Sequence, residues 1–288
     1  MDLNNRFIDL HTHSDKSDGS LSPSKLINYA SFKGLAAVAL SDHDTMSGVN
    51  EAIEAAKSKN IRFIPAIEMG AVYKHKEVHI LGYILDNYET KAELIAKELE
   101  SFNYKRNLRN IEIIKRLYQD NVILSLKELE ESTQSSSITR VHIAKALVKH
   151  NYATDINSAF EKFLKDGSEY VPEKSILVAD VMHFFKQFNF YTSLAHPCRY
   201  KLSANDLQKL VSDLKTMGLN ALEVYHSSQH PNDSNVLKKL AAKYGLGITG
   251  GSDFHGSNKP DIDIGVGYGG LRIPLSVLGD MEKDFLAK

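Results

Sequence analysis

The sequence predicts an α/β fold: a mostly parallel sheet closed, or nearly closed, into a barrel and interrupted by a small all-helical insertion. Three observations carry that prediction. Short apolar runs alternate with helix-like stretches along most of the chain, as parallel strands covered on both faces require. About seven such units recur, which favours a closed barrel over an open sheet. The rhythm fails between residues 88 and 180, where apolar residues recur at helical spacing with charge between them.

The first run, "RFIDLH", leads into "SPSKLINYASFKG", where Ser22 and Pro23 read as an N-cap followed by proline at the first helical position, and Gly34 as the stop. "AAVALSDH" precedes the helix-like "GVNEAIEAAKSKN"; "RFIPAIE" and, after a turn, "VHILGYIL" follow. "KAELIAKELESFNYKRNLRNIEIIKRLYQDN" then places Leu94, Phe102, Ile111, Ile114 and Leu117 at helical spacing. "SLKELEES", "VHIAKALVKHN" and "INSAFEKFLKDG" continue the helical tone, and "STQSSS" at 132–137 reads as a loop tip. Residues 88–180 are thus expected to form a helical insertion over the mouth of a barrel built from 1–87 and 181–288. The alternation resumes with "YTSLAH", "NALEVYH" and "GLGITGGSD", separated by "NDLQKLVSDLKTMG" and "NDSNVLKKLAAKYG".

A chain of 288 residues, 42% hydrophobic and 25% charged, suits one large soluble domain with a modest insertion. Its formal net charge of -1 creates no field to recruit long nucleic acid or an anionic membrane, so any action on nucleic acid must rest on a local pocket. The lone cysteine, Cys198, allows no intramolecular disulfide and points to a reducing compartment. No apolar run approaches the ~20 residues of a membrane span, and "MDLNNRFIDLH" has no signal-peptide character, so a cytoplasmic location is expected.

The polar residues on these elements form a pattern. His11 and His13 end the first run and Asp18 follows in its loop; His43 ends the second, in "SDHDT". Glu68 ends the third, His79 opens "VHILG", His196 ends "YTSLAH", and Asp253 and His255 stand in "GGSDFH". In a parallel barrel the carboxyl ends of the strands build one mouth, which gathers residues far apart in sequence. A single histidine there reads most simply as a satisfied core residue; nine ligand-type side chains at successive strand ends do not. Imidazoles with carboxylates and no thiolate suit Mn²⁺, Fe²⁺ or Zn²⁺ in catalytic use. Six histidines and three carboxylates exceed the need of one ion, so two or three divalent metals are expected. His75, His150, His183 and His230 fall outside the pattern and are expected on the surface, and His226 reads as a barrel-rim residue before it reads as a ligand's partner.

The segments "DLHTHSDKSDG", "ALSDHDT", "AIE", "VHILGY", "SLAHPCRY" and "GGSDFH", in that order over nearly the whole chain, resemble the PHP (polymerase and histidinol phosphatase) phosphoesterases. The resemblance implies a distorted (β/α)7 barrel with a trinuclear centre, manganese being the first expectation. It implies His11, His13, Glu68 and Asp253 around one ion, and Asp18, His43 and His255 around a second. Glu68, His79 and His196 would hold a third, with Glu68 bridging. "ITRVHIA", "GSEYVPEK" and "AHPCRY" further resemble the nucleoside 3′,5′-bisphosphate phosphatases, which are also 5′–3′ exoribonucleases on short RNA. Two departures bear on the pocket wall: "EMGA" puts Gly70 and Ala71 where relatives often carry small hydroxyl residues, and "AIE" replaces glycine-isoleucine-glutamate.

The reaction expected from this likeness removes the 3′-phosphate of a nucleoside 3′,5′-bisphosphate, or releases 5′-nucleotides from short RNA. Cations make hydroxide available near neutral pH and neutralise phosphoryl charge. His43 and Asp44 are the candidate catalytic pair, Asp44 reading equally as a proton carrier and as a loop N-cap. Arg140 and Arg199 are assigned to the retained phosphate, because a guanidinium grips phosphate bidentately. Arg106 and Arg109 share a helix face with Phe102 and could extend the grip, although arginines on a solvated helix are ordinarily surface; His142 and Lys174 are weaker candidates. Two alternatives stand beside this reading: a histidinol-phosphate or other small phosphomonoesterase, and a metal-bound nucleotide-sensing module without turnover. An amidohydrolase ranks low, because Glu68 stands where those enzymes commonly carry a bridging lysine.

Overall fold

A computed structural model describes residues 6–132, 138–165, 167–173 and 175–287. Beyond Ser132, the expected loop tip at 132–137 lies outside the described residues, as does Lys174. The chain opens with β1 (Phe7–Asp9) and α1 (Pro23–Phe32). The Ser22 hydroxyl accepts from the Lys25 N–H, and Gly34, at φ +75°, takes the left-handed turn that ends the helix. After β2 (Ala37–Leu40) and α2 (Val49–Lys57), β3 (Arg62–Tyr73) folds straight back as β4 (Lys76–Tyr83). Next come α3 (Ala92–Gln119), α4 (Leu126–Ser132), α5 (Arg140–Lys149), α6 (Ile156–Ala159) and a π-helical turn at Phe160–Leu164. From α7 (Val178–Gln187) the alternation returns: β5 (Tyr191–Leu194), α8 (Ala204–Thr216), β6 (Ala221–His226), α9 (Pro231–Lys243) and β7 (Gly247–Gly251). β8 (Ile273–Pro274) and α10 (Ser276–Leu286) complete the order.

The strands lie in the order β7-β6-β5-β4-β3-β2-β1-β8. Beyond its own strand, β1 also reaches β7: Leu10 N–H donates to Gly250 O at 3.1 Å and Asp253 N–H to His11 O at 2.9 Å, which closes the barrel. The sheet is less parallel than the sequence rhythm suggests, because β4 runs antiparallel to both β3 and β5, and β8 antiparallel to β1. The cause is local. Lys74 and His75 both take positive φ (45° and 63°), the conformation of a two-residue hairpin turn, and reverse the chain at once. Glu68 therefore does not end a strand; it sits inside the long β3. His79, near the start of the reversed β4, still reaches the same rim.

The helical segment has a core of its own, including Ile113, Leu117, Ile143, Leu147 and Phe163. The first half of α3 packs instead on the barrel side, with Ile95, Leu99 and Phe102 against α7; the Phe102 and Phe184 rings lie 5.6 Å apart. The expected face of this helix is partly displaced: Phe102 and Leu117 are buried, but Leu94 and Ile111 are exposed, and Ile95 and Ile113 carry the burial. Among the described residues no helix is long and apolar enough to cross a membrane.

Candidate metal centre

The site grows from β1. Side chains two apart on an extended chain share a face, so His11 and His13, just past the strand, point together into the barrel, both fully buried. The other strands bring their residues to the same place, and Glu68 stands in the middle. Its Oε2 lies 3.3 Å from His11 Nε2, 3.4 Å from His13 Nε2 and 3.1 Å from His43 Nδ1. Its Oε1 lies 2.9 Å from both His79 Nδ1 and His196 Nε2. Asp253 Oδ1 faces His13 Nε2 at 3.4 Å and His11 Nε2 at 3.7 Å. Asp18 faces His255 Nε2 at 3.2 Å and His43 Nε2 at 3.7 Å.

Buried polar atoms without partners are rare in folded proteins, yet His11 Nε2, both ring nitrogens of His13, and His196 Nδ1 are buried with no hydrogen-bond partner. Donor atoms of His13, Asp18, His43 and His255 all lie within 4.8 Å of one another, as do those of His11, His13 and Asp253, and those of His43, Glu68 and His79. Nitrogen and oxygen donors without thiolate, convergent and unsatisfied, fit divalent cations.

The electrostatics agree. Burial opposes charge on Glu68, but His43, His11 and His79 outweigh it and hold the carboxyl well below its usual range. Asp253 is held low in the same way by Lys259 and His255, and Asp18 by His255 and His43, each against its own burial. Burial, helped by repulsion from His255, pushes His13 down to about 4; burial pushes His196 down to about 3 and lowers His43 as well. Those three imidazoles keep their lone pairs at neutral pH. His11 goes the other way: burial lowers it, but Glu223 and Glu68 together raise it well above the usual range. Asp44, His196 and Asp253 take positive φ (52°, 32° and 59°), a strain that clusters at functional sites.

The remaining expected residues fall in distinct places. Asp44 is buried and is no N-cap, since α2 starts after Gly48; its Oδ1 accepts from Gly70 N–H at 3.2 Å, and it forms an ion pair with Arg106. Arg106 is thus no surface arginine: it reaches from α3 to the site. Arg109 donates from Nε to Pro172 O at 3.0 Å. Arg140 lies 3.3 Å from Glu77, whose Oε1 is 3.2 Å from His79 Nε2, and it also donates to Leu164 O. Arg199, half exposed, holds Asp253 Oδ2 at 3.0 Å. His142 caps α5, its Nδ1 accepting from Thr139 N–H at 3.0 Å. Gly70 is paired in register with His79, and Ala71 is fully buried. His75, His150, His183 and His230 are exposed as expected.

His226 is not at the rim. It is buried, with Nε2 unpartnered 3.7 Å from Asp253 Oδ2. Three buried acids escaped the sequence reading. Asp9 accepts from Ser252 N–H and Oγ–H, Gly265 N–H and His11 N–H, which fastens the floor of the site. Asp42 accepts from Ser14 N–H, Ser14 Oγ–H and Ser17 Oγ–H and shapes the loop carrying Asp18. Glu223 contacts His11 and His196. The signal for Asp9 and Glu223 was a carboxylate inside an apolar strand run; Asp42 stands just past β2, beside His43. Lys259, 2.8 Å from Asp253 Oδ2, gave no such signal.

The family model for the PHP domain matches residues 9–192. The chain is 32% identical over 251 residues to the 5′-3′ exoribonuclease Rnm of Escherichia coli (strain K12), a match covering 86% of this chain and 84% of that protein. It is 29% identical over 260 residues to a 3′,5′-nucleoside bisphosphate phosphatase of Chromobacterium violaceum, covering 90% of each. A crystal structure from Bifidobacterium adolescentis, named as that of a candidate metal-dependent phosphoesterase, matches with a TM-score of 0.82 at 28% identity, over 97% of this chain and 96% of that one. With the family model spanning more than half of the sequence and the barrel matched along nearly its whole length, this chain belongs to the PHP domain family.

Proposed function

We propose that this chain removes the 3′-phosphate of nucleoside 3′,5′-bisphosphates and releases 5′-nucleotides from short RNA. Its broader class, metal-dependent phosphoric ester hydrolysis, is the one its family and relatives point to. The observation that carries the reading is the ring of imidazoles and carboxylates around Glu68, several of whose buried nitrogens lack any partner. In this reading His11, His13, Glu68 and Asp253 hold one ion, and Asp18, His43 and His255 a second. Glu68, His79 and His196 hold a third, and manganese suits the set, with iron or zinc as alternatives. Bound cations act as Lewis acids on phosphoryl oxygen and acidify water.

The chain's own residues do the rest. Glu68 presents one oxygen to each half of the cluster, as a shared ligand must. Arg140 and Arg199 adjoin the cluster through Glu77 and Asp253 respectively, and are assigned to the phosphate that stays on the product. Asp44, adjoining His43, is the proposed proton carrier, and Arg106 holds it in place. A near-neutral chain suits a pocket for one nucleotide or a short RNA end better than a long groove. The test is phosphate and nucleotide release by metal-loaded protein from 3′-phosphoadenosine 5′-phosphate, a simple monoester such as histidinol phosphate, and short 5′-phosphorylated RNA. Turnover of the first and third supports the proposal. Turnover of the monoester alone replaces it with a general phosphatase, and binding without turnover with a sensing module.

A further inference from the structure

We infer that Glu223 is a positioning residue whose single carboxylate orients two of the proposed metal donors, His11 and His196. The inference rests on the reading of those histidines as ligands.

Glu223 is fully buried in β6, flanked by the fully buried Leu222 and Val224. A carboxylate enclosed this way costs several kcal/mol unless each oxygen is matched, and here each is matched to one histidine. Oε1 lies 2.9 Å from His11 Nδ1, and Oε2 accepts from the His196 backbone N–H at 2.6 Å. An imidazole that lends Nε2 to a cation keeps its hydrogen on Nδ1, and a carboxylate at Nδ1 is the partner that fixes this arrangement. His11 Nε2 is then turned toward Glu68 and Asp253, where it is buried and unpartnered. The bond to His196 acts on the backbone. That residue holds φ 32° and ψ 57°, left-handed for a residue with a side chain, and in this turn its Nε2 meets Glu68 at 2.9 Å. One side chain from β6 thus couples a donor following β1 to a donor following β5. A competing arrangement has the same geometry: His11, Glu223 and His226 also place donor atoms within 4.8 Å. For that trio to hold an ion of its own, both nitrogens of His11 would have to give up their hydrogens.

Glu223→Gln tests the dependence of both histidines on this carboxylate, because the amide offers one acceptor oxygen where the carboxylate offers two; the ring hydrogen of His11 separates positioning from ligation by Glu223 itself. Either His196 N–H loses its acceptor, or the amide N–H meets His11 Nδ1 and leaves the hydrogen on Nε2. The expected result is Zn²⁺ binding weakened about 10–100-fold in competition with a chromophoric chelator. Turnover at subsaturating metal falls, while the KM of the fully loaded variant stays at the wild-type value. Zinc affinity equal to wild type overturns the inference while leaving the functional reading intact; a wild type that binds neither zinc nor manganese overturns both. Should the variant fail to fold, ¹⁵N spectra of the histidine rings in zinc-loaded wild type decide the matter. A hydrogen on His11 Nδ1 and none on Nε2 is expected; a hydrogen on Nε2, or none on either nitrogen, refutes the assignment.

Discussion

Replacing Gly251 by alanine should push β7 away from the end of β1 and displace His11. A Cβ at this position would stand 2.1 Å from His11 Cβ, 2.4 Å from His11 N and 2.7 Å from His11 Cα. Ordinary contact begins at 3.4 Å, so the shortfall at the first atom is 3.4 − 2.1 = 1.3 Å. None of these atoms belongs to the far end of a flexible side chain, so the strain must be taken up by the strands. Overpacking of this kind costs about 1–3 kcal/mol. The flanking bonds from Leu10 N–H to Gly250 O and from Asp253 N–H to His11 O add about 1 kcal/mol each if they part. With both bonds parted, a loss of roughly 3–5 kcal/mol lowers the midpoint of a domain this size by about 6–20 °C. Calorimetry of the metal-free protein reads the strain, and metal content after reloading reads the displacement of His11. Gly279, in α10, has nothing within 4 Å of such a Cβ. There alanine should stabilise by roughly 0.5–1 kcal/mol, since glycine is a poor helix former. A Gly251→Ala protein that melts with wild type and reloads fully would refute the packing argument.

Arg106→Ala leaves buried Asp44 without its cation and should cost roughly 3 kcal/mol; adding Asp44→Asn should recover part of the midpoint, and a further drop in the double variant counts against the pairing. Arg140→Ala and Arg199→Ala should each raise KM for a nucleoside bisphosphate about tenfold or more, the loss of one charge-assisted contact, with little change for p-nitrophenyl phosphate; equal changes for both substrates would remove the assignment to the retained phosphate. Asp9→Asn turns an N–H₂ toward a set of donors and should destabilise by about 1–3 kcal/mol, read as a lower thermal midpoint. Chelation should abolish phosphate release and Mn²⁺ should restore it. At roughly a hundred times its Kd, each bound ion should also contribute about 3 kcal/mol to stability, and a midpoint indifferent to metal would contradict a preformed site.

The convergence of these side chains was legible because strand direction is legible. Buried runs ending in His, Asp or Glu, repeated along the chain, imply one mouth without knowledge of register. The reversal at β4 was not, because Lys74 and His75 are not the Asn-Gly or Gly-rich pair that announces a two-residue turn. Glu223 was hidden by alternation: a lone glutamate in "ALEVYH" reads as the outward residue of a half-exposed strand, and only the closed barrel turns it inward. Arg106 and Arg109 look alike in sequence, three apart on one helix, yet one meets Asp44 and the other Pro172 O. The phase of α3 was ambiguous for a related reason, since "NIEII" offers more apolar residues than one face can bury.

The cluster is sealed unevenly. The side chains of His43 and His79 are 16% and 22% exposed, against 6% or less for the other seven proposed ligands. On that open side stand Arg106 and Arg140, both from the helical segment, already paired with Asp44 and Glu77. In the proposed function Arg106 stays on Asp44, while a phosphate entering there would take the place of Glu77 on Arg140, so much of the Coulomb gain would be offset by the carboxylate left behind. Such an exchange would favour discrimination over raw affinity, because it would repay only a ligand whose second phosphate reaches Arg140 while its scissile phosphorus faces Glu68 and its histidines. In the proposed function the barrel would supply the reactive centre and Arg140, from the helical segment, would gauge the distance from it to a second phosphate, the property that separates a nucleoside bisphosphate from a simple monoester.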